Sequence, residues 1–168
     1  MRRRVEVRVD MTKMRVGLSA AIGLASLAAA AGAVAAAGLL AGRRPADVGQ
    51  GGRLSPCRTS PNCVSSQATD PAHFVPPLSF AGTAPEAMST LRRVLGSMDR
   101  VRVVRTDPDY IYAEFTSRLL GFVDDLEFAL DPTASVIHVR SASRLGRSDF
   151  GVNRRRVEAI RARLASGA

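Results

Sequence analysis

The sequence predicts an α+β domain: an antiparallel sheet of about four strands with two flanking helices, preceded by an N-terminal transmembrane or signal helix. Three observations predict it. Residues 16–42 carry no charge at all. Two later segments repeat apolar residues at the helical period. Between them, four segments alternate at the strand period, joined by short connections, two of which are Asp-Pro turns.

The N-terminal segment comes first. As a helix, its 27 residues would span about 40 Å, more than the ~30 Å hydrocarbon core of a bilayer. Arg2, Arg3, Arg4, Arg8, Lys13 and Arg15 precede it, and Arg43 and Arg44 follow. That asymmetry places the N-terminus in the cytoplasm and the remainder outside. Two readings stay open: a retained single-pass anchor, which suits the length, or a signal cleaved near Ala35-Ala36-Ala37. Cleavage would leave the domain secreted or periplasmic. The chain divides accordingly into a basic cytoplasmic leader (1–15), the anchor or signal (16–42), a linker (43–56) and a single domain (57–168).

The net charge of +9 resembles a nucleic-acid signal, but its distribution argues against one. Residues 1–44 hold a net +6, explained by topology, and residues 45–168 only +3. No nucleic-acid partner is expected, and no cofactor motif is present.

Gly and Pro crowd residues 42–56, which read as a flexible linker. Residues 57–82 hold four prolines but also Phe74, Val75, Leu78 and Phe80, too apolar for a spacer, so this stretch should wrap over the domain. Thr83-Ala84-Pro85-Glu86 fits a capping box with Pro in the first turn. Met88, Leu91, Leu95 and Met98 then form one helical stripe. Strands follow at 100–106, 110–117, 122–130 and 135–142, and their short connections favour an antiparallel meander. A last helix at about 151–165 carries Val157, Ile160 and Leu164, with Asn153 on the same stripe.

Strand alternation gives the two sheet faces different chemistry. Ile111, Ala113, Phe115, Leu126, Phe128, Leu130, Ile137 and Val139 share the face that the helices would cover. Tyr110, Tyr112, Glu114, Asp125, Glu127, His138 and Arg140 share the other, expected to be a solvated field of cross-strand ion pairs. Asp124 falls on the apolar parity and must find a partner if buried.

Cys57 and Cys63 are the only cysteines. Even in number and outside the cytoplasm, they predict a disulfide. Their separation from His73 and His138 does not suit a zinc site, and no metal site is expected. Residues 140–156 leave a strand, turn at Gly146 and enter a helix. Arg140, Arg144, Asn153 and Arg154 there are candidates for binding an anion, since helix N-termini and Arg both favour negative charge. The competing reading is a structural network among those Arg groups and Glu114, Asp124, Asp125, Glu127 and Asp149, with Asp149 capping the helix.

Several of these pieces occur together: Pro56-Cys57, Ser60-Pro61-Asn62-Cys63-Val64-Ser65-Ser66, Gly121-Phe122-Val123-Asp124-Asp125-Leu126-Glu127-Phe128, Arg140-Ser141-Ala142-Ser143-Arg144 and Asn153-Arg154. In this combination the chain resembles, over about residues 54–165, a bacterial and plastid family catalogued as domain of unknown function, number fourteen ninety-nine. The resemblance implies the domain boundaries and a preceding signal or membrane segment. It implies no activity. The function expected is a membrane-anchored binding or structural module of the cell envelope with an Arg-rich polar surface. Its partners would be the membrane, through the N-terminal helix, and an anionic ligand or envelope protein. The alternative is an envelope hydrolase using Ser65 or Ser66, His138 and nearby carboxylates.

Overall fold

The computed structural model describes residues 40–48 and 53–166. The predicted leader and almost all of the predicted anchor lie outside the described residues. Among those described, no helix is long and apolar enough to cross a membrane.

Helix α1 (Ala84–Gly96) starts as its sequence dictates. Thr83 and Glu86 cap each other reciprocally, and Pro85 occupies the first turn. Strands β3 (Val101–Thr106), β4 (Tyr110–Thr116), β5 (Val123–Asp131) and β6 (Val136–Ser143) then form an antiparallel meander within a residue or so of the predicted bounds. Helix α2 (Val152–Ala165) closes the domain.

The sheet has six strands rather than about four. The additional ones, β1 (Cys63–Ser65) and β2 (Leu78–Ser79), come from the segment expected to wrap over the domain. They lie end to end along the outer edge of β6, opposite residues 140–142 and 136–137. At three and two residues they are too short for an alternating pattern to reveal them. The resulting order is β1-β6-β5-β4-β3, with β2 also on β6.

Both helices cover one face. Met88, Leu91 and Leu95 of α1 and Val157 and Ile160 of α2 pack on Ile111, Ala113, Leu126, Phe128, Ile137 and Val139. These sheet residues are buried, as the period-two reading requires. Burying each large aliphatic side chain here contributes about 1.5–3 kcal/mol. The helices therefore hold one side of the sheet and leave its polar side for other groups.

Candidate functional site

The face opposite the helices carries Tyr110, Tyr112 and Glu114 from β4, Asp125 and Glu127 from β5, and Arg140 from β6. The register sets Glu114 opposite Asp125, Tyr112 opposite Glu127, and Glu127 opposite Arg140. The sequence suggested a solvated face. Instead all six residues are buried, Glu127 completely.

The cover comes from the segment read as a linker. Leu54 clusters with Tyr110 and Tyr112. Ser55 donates from its hydroxyl to Glu127 at 3.2 Å. Arg44 donates to Glu114 and stacks over the Tyr112 ring at 5.2 Å. Gly42 lies so close to the loop after β6 that a Cβ there would meet Arg144 Cβ at 2.9 Å and Leu145 Cγ at 3.0 Å. Glycine is required at that crossing, and its φ of +66° adds to the requirement. Parts of the stretch 42–56 are thus a strap rather than spacer.

Buried charges must be paired and hydrogen-bonded. Arg144 sits at the centre of the layer. It donates to Asp125 at 2.7–3.1 Å, to Glu114 at 2.6 Å and to the Tyr112 hydroxyl at 3.0 Å. Arg140 donates to Glu127 at 2.8 Å, and the Tyr110 hydroxyl donates to the other Glu127 oxygen at 2.8 Å. Arg102 reaches Glu114 from the edge strand β3. Burial pushes the Glu114 carboxyl up, but hydrogen bonds from Arg44, Arg102, Arg144 and Tyr112 outweigh it and hold it down at about 2. Burial, followed by the hydrogen bond to Asp125, pushes the Tyr112 hydroxyl above its ordinary range. Burial acts to lower the Arg144 value, but bonds to Asp125 and Glu114 prevail and raise it.

A second network lies at the start of α2. Asp124, on the apolar parity, pairs with Arg156 at 2.6 Å. The Arg156 guanidinium stacks on the Phe115 ring at 4.1 Å. Burial lowers the Arg156 value and Asp124 opposes the shift. Asn153 is fully buried and all its side-chain capacity is used. Its oxygen accepts from Ser141 and Arg156, and its amide donates to the Asn62 carbonyl and Ser143. Asp149 accepts from the Gly151 and Asn153 backbone N–H groups, so the helix start already holds a carboxylate.

These contacts divide the predicted anion-binding residues. Asn153 is spent internally. Arg154 points to the Phe74 and Ala72 carbonyls. Neither reaches a shared site, and the α2 N-terminus is not open to a ligand. Arg140 and Arg144 do come together, in a cavity of about 410 Å³ between the strap and the disulfide loop. Cys57 and Cys63 are bonded, with Cα atoms 5.7 Å apart. The loop they close presents Asn62, whose amide donates to the Gly146 carbonyl at 2.6 Å. Arg43, Arg44 and Arg58 complete the basic lining. Among the described residues no ion pair forms at Arg43 or Arg58, and both are exposed.

Among the described residues, Glu114, Asp125 and Glu127 face Arg44, Arg102, Arg140 and Arg144, so one guanidinium exceeds the carboxylates before Arg43 and Arg58 are added. Arg140 has a side chain only 7 % exposed, yet its Nε has no hydrogen-bond partner. Arg156 Nε is also unpartnered, but that guanidinium is stacked on Phe115 and lies away from this cavity.

The serine and histidine candidates form a separate cluster. Ser66 Oγ lies 3.1 Å from His138 Nδ1 and accepts from the Val139 N–H at 2.9 Å. His138 Nε2 is 3.9 Å from Asp131, beyond hydrogen-bond reach. Ser65 Oγ instead accepts from the Gln67 N–H. Among the described residues no group of His, Cys, Asp or Glu side chains is arranged to hold a metal ion.

Arg44, Arg58 and Arg102 were not singled out as site residues from sequence, and Asn62 entered only through the family resemblance. Arg44 was absorbed into the topological charge beside the apolar run. Residues 53–164 match the family model described as Protein of unknown function (DUF1499). No curated protein and no solved structure matches the chain.

Proposed function

The chain belongs to the DUF1499 family of proteins of unknown function, and from the basic face of its sheet we propose a membrane-anchored envelope protein whose domain binds a small anionic group. The observation that carries this is the cavity lining: Arg43, Arg44, Arg58, Arg140 and Arg144 gather around it against one carboxylate, Asp125. An oxyanion in the cavity offsets that excess charge and accepts from the guanidinium groups at its rim. Phosphate suits guanidinium groups because it accepts two parallel N–H bonds. The disulfide supports an oxidising compartment, in keeping with a domain outside the cytoplasm.

Titration calorimetry of the full chain with inorganic phosphate tests this. Saturable binding that weakens with added salt is expected, because the rim arginines are exposed to screening. Absence of saturable heat with phosphate or sulfate would contradict it.

The 3.1 Å Ser66–His138 contact favours a second reading, an envelope hydrolase. Covalent labelling by a serine-directed phosphonate, lost in Ser66→Ala, would support it. A chain that never labels counts against it.

A further inference from the structure

The two ends of the sheet differ in chemistry. At one end lie the Asp107-Pro108-Asp109 turn and the β5–β6 turn that begins at Asp131. This end is acidic. At the other lie the β4–β5 turn (117–122) and the β6–α2 loop (144–151). The pairing of Asp124 with Ser143 and the bond from Arg144 N–H to the Val123 carbonyl bring these two loops to the same end.

Exposed apolar groups gather there. Of seven large hydrophobic side chains left exposed among the described residues, five belong to these loops or the first residue of α2, led by Phe150 at 87 % and Leu119 at 86 %. A soluble surface has no use for such a concentration. Phe150 is held in a left-handed conformation, φ 52°, which a bulky residue rarely adopts. Ser148 Oγ accepts from its N–H and Arg155 donates to its carbonyl, so the loop is fixed while the ring stands in solvent. Strain at an exposed aromatic points to function. Arg118 and Arg147 are exposed in the same loops.

Gly42, the last residue of the uncharged run, packs on Leu145 at this end. The chain therefore arrives from the predicted anchor at the apolar, basic end of the sheet. We infer that this end is a bilayer-contact surface: Phe150, Leu119 and Leu120 enter the headgroup layer, and Arg118 and Arg147 engage anionic lipid. Apolar side chains flanked by Arg are the composition such interfacial contacts need. The cavity is lined by Arg43 and Gly146 of the same end, so its ligand would be met close to the headgroups. This inference rests on the proposed retained anchor.

The chain contains no Trp, so a single Trp reports its own surroundings. Phe150→Trp, Leu119→Trp and, at the acidic end, Thr133→Trp would be made in the full chain. Each would be reconstituted into phosphatidylcholine–phosphatidylglycerol vesicles with and without brominated acyl chains. Co-flotation, with blue-shifted and bromine-quenched emission at positions 150 and 119 but not at 133, is expected. Co-flotation with all three tryptophans equally unquenched would overturn the contact surface and leave the anchor intact. Failure to co-float would overturn the anchor, and the contact surface with it.

Discussion

Arg144 shows how one side chain organises a buried polar layer. It bonds Asp125, Glu114 and Tyr112 at once, with a side chain only 6 % exposed. Arg144→Ala would take from buried Asp125 its guanidinium partner, while Glu114 keeps Arg44 and Arg102. Breaking such a pair costs about 3–5 kcal/mol, which in a domain this size lowers the melting temperature by roughly 10 °C or more. Circular-dichroism melting checks this, and an unchanged melting temperature would remove Arg144 from the architecture. Glu114 makes a pH prediction. Its carboxyl is held at about 2 in the folded chain against an ordinary 4.5. Its contribution to stability is therefore complete above about pH 4.5 and is lost as pH falls towards 2. Denaturant midpoints of wild type should drop through that window, and Glu114→Gln should flatten the drop. At this scale the sequence was partly legible. Asp124 announced a buried pair by its parity, but Arg156, 32 residues away, depends on tertiary geometry that strand alternation does not encode.

Among the elements, long periodic segments were legible and short or irregular ones were not. Four strands and both helices follow from repeat and capping chemistry. β1 and β2 owe their existence to the β6 edge they cover. The strap was misread because Gly and Pro composition describes chain stiffness, whereas Leu54, Ser55 and Arg44 grip partners contributed by β4 and β5. The polar face was misread for the same reason. Its residues match a solvated sheet in every respect except that the strap lies over them. The disulfide loop fixes Asn62, whose carbonyl accepts from Ser143 and Asn153 and whose amide reaches Gly146. Removing both cysteines by Cys57→Ser and Cys63→Ser should cost roughly 2–2.5 kcal/mol in the chain-entropy model, read from chemical denaturation. A neutral effect would mean that the loop holds Asn62 without the bond.

In the whole molecule, a helix-covered apolar core supports an opposite face whose charges are mostly paired inside. The remaining basic groups open at the end where the chain arrives from its apolar run. Topology is the first consequence to check. A phosphatase fused after the C-terminal residue should be active, because the proposed orientation keeps the basic residues before the apolar run in the cytoplasm. An active cytoplasmic reporter instead would overturn the proposed orientation. The proposed ligand site divides the labour: Arg144 holds the layer together, while Arg140 and Arg58, a rim group with no ion pair among the described residues, would serve the anion. Melting wild type and Arg58→Ala, with and without phosphate at constant ionic strength, tests it most directly. Ligand linkage should raise the wild-type transition, by an amount equivalent to about 2.7 kcal/mol at a hundredfold excess over Kd. Phosphate should stabilise wild type, while the variant, no less stable on its own, loses most of that gain. A transition that phosphate leaves unmoved in both proteins, or moves equally in both, would contradict it.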